Sequence, residues 1–296
     1  GEQTTIALTA MAINDLGGRA VSLTGAQAGI NTNDTHTKAR ISHIAPDTVH
    51  NLLDDGNIII VAGFQGQTSD GRITTLGRGG SDLTAIAIAA AVKADLCQIF
   101  TDVNGVYTCD PRVVRSAQKL AVISYDEMLE MASSGSKVMQ SRSVEVAKKF
   151  GVRFEVRSSM NNSPGTLVTE EGPGMESILV RGVSLERGQA KIAIDGVRDR
   201  IDIAARIFGA LARANIVIDM IVQSVGLNGE TDISFTLPTA DLRRAEVELR
   251  EILPELGESA GLRSQGGLAK LSIVGIGMRS HNGVAARMFG ALSDAG

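Results

Sequence analysis

The chain has 296 residues, a formal net charge of −4, no tryptophan and only 3% aromatic residues. A nucleic-acid surface needs clustered cations and aromatic stacking platforms, so this composition argues against one. Hydrophobic residues at 43%, charged residues at 21% and a mean hydropathy of +0.09 suit a soluble globular protein with one large domain and a smaller one.

Ile6, Ala7, Ala10, Met11 and Ile13 form a helical stripe that begins almost at Gly1. At the other end the chain stops at Leu292-Ser293-Asp294-Ala295-Gly296, just after a helical segment. The chain therefore reads as an internal fragment of a longer protein. Residues 20–23 and 58–62 read as short buried strands, with a helix expected over 46–54. His36, His43 and His50 are spaced by seven, but Pro46 interrupts any helix through them and no carboxylate or cysteine joins the set. They are expected to be solvated loop histidines rather than metal ligands.

The most informative stretch runs from Thr74 to Arg112. A glycine-rich turn with Gly77, Arg78, Gly79 and Gly80 leads into Ser81-Asp82 and an apolar helix over 83–92. Glycines let several backbone N–H groups face one concavity, and a helix that starts there adds its positive end. Arg78 supplies a cation within the turn and Asp82 a carboxylate at the helix start. After a strand over 97–101, a second polar loop begins at Thr101-Asp102 and ends at Asp110-Pro111-Arg112. The pair looks like an anion site for a nucleotide and a small charged substrate. The longest apolar run is broken by Lys93 and Asp95, short of the ~18 residues of a membrane span. Cys97 and Cys109 form no ligand pattern and read as reduced thiols, which suits a cytoplasmic location.

Further on, Ser124 followed three residues later by Glu127 is a capping box that opens a helix. A helix over 143–150 and a strand over 153–156 continue the strand–helix alternation of an α/β fold, with a largely parallel sheet covered on both faces. Glu170-Glu171-Gly172-Pro173-Gly174 marks a domain boundary. Beyond it come a strand over 190–197, a helical stripe of Ile201, Ala204, Ala205, Phe208, Leu211 and Ala212, strands over 216–222 and 231–237 around the turn Asn228-Gly229, and a helix over 241–253. That order is ferredoxin-like. A second copy begins near Lys270. The expected division is 1–170, 177–268 and 269–296.

The GRGGSD turn, the TDVNGVYTCDPR loop and Gly135-Ser136-Lys137 together resemble the motifs of the aspartate kinase family, and the resemblance extends over nearly the whole chain. It implies the amino-acid kinase fold followed by ferredoxin-like ACT modules, the second cut short. The implied reaction moves the ATP γ-phosphoryl group to the side-chain carboxylate of L-aspartate, the first step toward lysine, threonine and methionine. By that resemblance Asp82 is the catalytic, orienting group, Arg78 pairs with the substrate α-carboxylate, and Glu2 with Asp82 holds the α-ammonium. Gly79, Gly80 and Ser81 complete the substrate site. Thr101, Asp102 and Tyr107 match nucleoside contacts, and Arg112 and Lys137 match phosphate contacts. Thr108, Cys109, Asp110 and Pro111 fall in the same ATP loop. Mg-ATP would be the co-substrate, with the ion held through phosphate oxygens and water and no metal ligand assigned.

Two other readings remain at this point: a sister kinase acting on another acid such as acetylglutamate or glutamate, and a non-catalytic regulatory protein that binds an amino acid. The two-copy tail and the complete second loop count against the first, and retention of most of the catalytic half against the second. The family normally opens with a Lys-Phe-Gly-Gly-Thr-Ser phosphate loop that nothing here matches, so the chain by itself is expected to be inactive. The first ACT-like loop usually carries Pro-Gly before its helix, whereas this chain has Asp199-Arg200-Ile201-Asp202. The second, His281-Asn282-Gly283, keeps the glycine. Asp219 and Gln223 lie four apart on an expected strand, which puts both on one face. They match the family's effector site, with lysine and/or threonine as effector and ACT pairing as the route to a homo-oligomer.

Overall fold

Helix α1 (Glu2–Asp15) turns Ile6 and Ala10 inward, while Met11 of the expected stripe is 66% exposed. Strand β1 (Ala20–Leu23) is followed by β2 (Ile30–Thr32), β3 (Ile41–Ile44), α2 (Asp47–Asp54) and β4 (Ile58–Val61). β1 and β4 pair in parallel. β5 (Gln65–Gln67) and β6 (Ile73–Thr75) join the earlier strands in a sheet of order β3-β2-β5-β6. Leu23, Ala28, Ile30 and Val49 form the core of this region. The three spaced histidines fall on different elements: His36 in a turn, His43 on β3 and His50 on α2, so only the first is a loop residue. Among the described residues no group of three His, Cys, Asp or Glu is placed to hold a metal ion, and no helix is long and apolar enough to cross a membrane.

The computed structural model describes every residue except 137, 171–179, 199, 226–229 and 276–281. It divides into two units, Gly1–Ser184 with Ile273–Gly296, and Leu185–Ser272. The first unit continues with α3 (Gly80–Ala91), β7 (Cys97–Thr101), β8 (Val122–Ser124), α4 (Tyr125–Ser133), α5 (Ser141–Phe150), β9 (Phe154–Ser158) and β10 (Thr166–Thr169). These strands form a mixed sheet of order β7-β9-β10-β8, parallel in β7/β9 and β8/β10 and antiparallel in β9/β10. Alternate residues Cys97 and Ile99 of β7 and Phe154 and Val156 of β9 point to one face, as the two-residue period of a strand requires. There they meet Ile86 of α3, Met128 of α4 and Val144 of α5. Each fully buried side chain of this size contributes roughly 1.5–3 kcal/mol. The capping box forms as the spacing predicts: Glu127 N–H donates to Ser124 Oγ at 3.2 Å and Ser124 N–H to Glu127 Oε2 at 3.1 Å.

The second unit is built on β11 (Gly182–Arg198), α6 (Ile203–Arg213), β12 (Ile221–Val225), β13 (Glu230–Pro238), α7 (Leu242–Leu256) and β14 (Gly261–Val274). Sheet order β12-β13-β11-β14 gives the βαββαβ arrangement. Ile192, Ile194, Ile233 and Phe235 pack against Ile203, Ile207, Leu211 and Leu249, and Phe208 meets Phe235 edge-on at 5.7 Å. Two sequence expectations need correction. Ile201 lies outside α6 and is fully exposed; the inward positions are Ile203, Ile207, Ala210 and Leu211. The strand expected over 216–222 becomes regular only at Ile221. The Asn228-Gly229 turn, the 171–174 boundary residues, Asp199 and His281 lie outside the described residues. β14 runs unbroken through residue 269, and α8 (Val284–Ala295) ends the chain's helices.

Candidate active site

The glycine turn is shaped by contacts on three sides. Leu76 N–H donates to the Phe64 carbonyl at 3.0 Å, which ties the end of β6 to the turn after β4. Phe64 has φ of 70°, and its own N–H donates to Thr84 Oγ1 at 3.1 Å. Thr84 Oγ1 in turn donates to the Gly80 carbonyl at 2.7 Å, so the first turn of α3 is latched onto the 63–64 segment. Gly79 has φ of 71°, and a Cβ there would sit 1.9 Å from Gln140 Cγ. A Cβ on Gly80 would sit 2.8 Å from the Phe64 ring. Glycine is the residue these positions accept. Arg78, between the glycines, is exposed with its guanidinium available to a ligand.

Ser81 and Asp82 occupy the first turn of α3, where unpaired N–H groups and the helix dipole favour negative charge. Asp82 is half-buried, and that burial pushes its pKa above the ordinary aspartate value. Burial, with the Asp82 carboxylate adding to it, pushes the Cys97 thiol up to about 11, so Cys97 stays protonated.

Glu2 belongs to another element. It lies at the start of α1 and lines a cavity of about 340 Å³ with Thr5, Ile6, Val61 and Gly63. Gly63 approaches α3 so closely that a Cβ on it would be 3.3 Å from Ser81 Cα. Gly63 therefore links the two elements, lining the cavity beside Glu2 and packing against Ser81 at the start of α3.

The second loop leaves the C-terminal end of β7. Thr101 Oγ1 donates to Asp102 Oδ1 at 3.1 Å, and Ser159 N–H donates to the Thr101 carbonyl at 2.9 Å. Asn161 Nδ2 donates to Asn104 Oδ1 at 2.8 Å, joining the loop to the segment after β9. Tyr107 is half-buried and pairs through its backbone with Lys119, whose Nζ donates to the Pro164 carbonyl. Thr108 is held on both sides, with its N–H donating to Gln118 O at 2.8 Å and its carbonyl accepting from Val183 N–H at 2.7 Å. Cys109 is half-buried, and Asp110 and Pro111 are exposed. Arg112 donates from Nε and Nη2 to the two Asp110 oxygens at 3.1 and 3.0 Å. That pair, through hydrogen bonding first, holds the Asp110 carboxyl below its usual range. Arg112 is thus engaged, and a phosphate would have to share or replace Asp110. Lys137 lies outside the described residues.

Sequence reasoning missed Gly63, Phe64, Thr84, Gln140 and Arg142 around the first turn. No local pattern marks them; the positive φ of Phe64 and the long-range partners of Arg142 exist only in the folded chain.

In the second unit Asp219 and Gln223 have different partners. Asp219 precedes β12 and accepts from Lys270 Nζ, which also pairs with Glu186 at 3.0 Å. Burial works against the Lys270 ammonium, but its hydrogen bonds to Asp219 and Glu186 outweigh this and hold its pKa above the ordinary lysine value. Gln223 instead lines a cavity of about 360 Å³ with Arg200, Ile201, Ile203, Thr231 and Ile233. The shared strand face fails as an argument because the regular β-pairing starts only at Ile221.

Comparison with known proteins gives a consistent picture. The amino acid kinase family model matches residues 1–158, and an ACT domain model matches 192–252 and 271–296. The aspartate kinase of Pseudomonas fluorescens is 51% identical over 294 residues, covering 99% of this chain and 71% of that protein. The aspartokinase of Helicobacter pylori is 48% identical over 297 residues, covering 99% and 73%. Among solved structures, aspartokinase III of E. coli in complex with aspartate and ADP superposes with a TM-score of 0.77 at 29% identity, covering 99% of this chain and 66% of that one. The same enzyme in complex with lysine and aspartate gives a TM-score of 0.73 at 30% identity, covering 93% and 61%. On its α/β architecture, its two matched domains and this degree of identity, the chain belongs to the aspartate kinase family.

Proposed function

We propose that this protein transfers the γ-phosphoryl group of ATP to the side-chain carboxylate of L-aspartate, yielding 4-phospho-L-aspartate and ADP, with the residues around the α3 N-terminus as its aspartate site. The observation that carries this reading is that Glu2 and Gly63 line one cavity, Gly63 packs against Ser81 at the start of α3, and Arg78 in the adjoining glycine turn is exposed. Two carboxylates suit an ammonium, and a planar guanidinium suits a carboxylate. The E. coli relative that this chain resembles holds aspartate and ADP.

The acceptor carboxylate has a pKa near ~4 and is already ionised at neutral pH, so no general base is required. The chain's work is alignment and charge neutralisation. Arg78 binds the substrate α-carboxylate, and Glu2 and Asp82 hold its ammonium. Asp82 also fixes the direction from which the nucleophile attacks. Gly79, Gly80 and Ser81 present backbone N–H groups at the helix start. Thr101, Asp102, Tyr107 and the Thr108–Arg112 segment hold the nucleotide, with Lys137 as a further phosphate contact. Mg²⁺ would accompany ATP and neutralise charge on its phosphates, and no residue of the chain is assigned as its ligand. The C-terminal half senses an end-product amino acid, lysine and/or threonine, at the ACT modules, through which the protein pairs with a second copy. The E. coli relative in complex with lysine supports an amino-acid effector.

The test is aspartate-dependent ADP release by the protein expressed from its complete gene, compared with Arg78→Ala. Removing one partner of a charged, hydrogen-bonded pair costs roughly 2–5 kcal/mol, or about 30- to 4,000-fold. The expected loss falls on aspartate affinity, with ATP affinity little changed. Unaltered aspartate kinetics in Arg78→Ala would show that the α-carboxylate binds elsewhere.

A further inference from the structure

Arg142 lies in the first turn of α5 and is not among the residues assigned above to substrate or nucleotide. Its Nη1 donates to the Leu76 carbonyl at 3.1 Å and its Nη2 to the Ala39 carbonyl at 2.7 Å. Leu76 is the residue immediately before the glycine turn, and Ala39 belongs to the loop on the turn's other side. That loop and the turn are joined a second time, since Ala39 N–H donates to the Thr75 carbonyl at 3.0 Å. They also touch at Gly77, where a Cβ would meet the Thr37 carbonyl at 2.8 Å. One residue before α5, Gln140 closes over Gly79. The turn that carries Arg78 is therefore gripped at its start by Arg142 and at its middle by Gln140, both from the N-terminal end of one helix.

A guanidinium is not placed here by charge pairing. Its hydrogen-bond partners are two neutral carbonyls, it is partly buried, and burial followed by the nearby Arg40 lowers its pKa from arginine's ordinary value against the smaller opposing attraction of Glu145. A partly desolvated cation held in this way needs its planar fork to satisfy two acceptors at once, and a lysine ammonium cannot span both in the same plane. An arrangement that costs desolvation and gains no hydrogen-bonded carboxylate among the described residues is poorly explained by stability alone.

We infer that Arg142 is a positioning residue for the aspartate site: by bridging Leu76 and Ala39 it fixes the height of the glycine turn and hence the place of the Arg78 guanidinium. It touches no substrate and acts only through the turn. The inference rests on the reading of Arg78 as the α-carboxylate ligand. Misplacing a binding group by about 1 Å can cost ~100-fold in rate, so loss of the bridge should lower kcat/KM for aspartate by roughly that factor. The nucleotide loop, built on β7 and the segment after β9, has no hydrogen bond to Arg142 among the described residues, so KM for ATP should change by less than about threefold.

The experiment compares Arg142→Met, Arg142→Lys and Arg78→Ala in the protein expressed from its complete gene, with steady-state kinetics in both substrates and thermal unfolding of each variant. Methionine keeps an apolar stem but no donors; lysine keeps one donor group and the charge. The expected result is a large rise in aspartate KM for Arg142→Met, a partial recovery in Arg142→Lys, and ATP KM near wild type throughout. A folded Arg142→Met variant with wild-type aspartate KM, or one in which both KM values rise together, overturns the inference. If Arg142→Met does not fold, Arg142→Lys decides alone: wild-type aspartate KM in that variant overturns the inference. If Arg78→Ala binds aspartate normally, the site assignment fails first; if only Arg78→Ala is impaired, the assignment stands and the role given to Arg142 falls.

Discussion

Replacing Gly79 by alanine should damage both stability and aspartate binding, and the structure gives the size of the effect. Gly79 has φ of 71°, a left-handed conformation that costs an L-residue with a Cβ about 1–2 kcal/mol. The new methyl would also fall 1.9 Å from Gln140 Cγ and 2.8 Å from its Cβ, so the glutamine must leave its place. Overpacking of this kind costs about 1–3 kcal/mol. The sum is about 2–5 kcal/mol, or roughly 4–20 °C in Tm for a domain of this size. The two contributions are separable. In Gly79→Ala/Gln140→Gly the clash is gone and only the backbone strain remains. Thermal unfolding of the single and double variants, with aspartate titrations on each, makes the comparison. The double variant should regain about 1–3 kcal/mol over Gly79→Ala, a coupling expected only of residues in contact. A Gly79→Ala protein with wild-type Tm, or a double variant no more stable than the single one, would refute the packing described for this turn.

Asp82→Asn should lower turnover while raising stability at neutral pH. Burial raises the folded-state pKa of Asp82, so its contribution to stability is complete below the unfolded value of 3.8 and is lost as pH rises through the folded value. Its ionised form is the one that holds an ammonium, so the acid limb of kcat/KM for aspartate should move to lower pH in Asp82→Asn, where only the substrate carboxylate near ~4 is left to set it; an unchanged limb assigns it to another group. Glu127→Ala should cost about 3–5 kcal/mol in denaturant melts, because it strips the counter-ion from the buried Arg181 as well as breaking the cap of α4; a loss below about 1 kcal/mol would show that pair to be dispensable. Lysine and threonine inhibition curves, taken separately and together, should shift in Asp219→Ala relative to wild type, within the roughly 5- to 150-fold range of allosteric coupling; inhibition by neither amino acid in wild type, or an unmoved curve, ends the effector role of Asp219.

What the sequence made legible is what neighbouring residues decide among themselves. β1 and β7 form over the residues expected of them, since an apolar run of that length has few other solutions. The Ser124–Glu127 box closes within one turn. The glycine turn is recognisable because positive φ at Gly77 and Gly79 leaves glycine as the residue of choice, and the helix start behind it is what suggests an anion site. What stayed hidden depends on partners far along the chain. The acceptors of Arg142 lie 66 and 103 residues away, and nothing in the local Ser141–Phe150 pattern announces them.

The second unit shows where the two-residue period of a strand fails as a geometric argument. Asp219 and Gln223 are four apart, and a regular strand would set them side by side. Thr236 of β13 prevents this by bonding to both sides of one step, its carbonyl accepting from Asp219 N–H and its N–H donating to the Met220 carbonyl, each at 3.0 Å. The ladder becomes regular only beyond that point, with Ile221 opposite Phe235. Asp219 is then free to meet Lys270 and Gln223 to face the start of α6. There Asp202 accepts from both Arg200 and Arg206, which fixes where the helix begins and leaves Ile201 outside it. Periodicity alone carries no information about such a step, because the step is imposed by the neighbouring strand. Any effector that engages both Asp219 and Gln223 must therefore contact two different surroundings, one a lysine-bridged carboxylate pair and the other a cavity beside a helix start, rather than a single strand face.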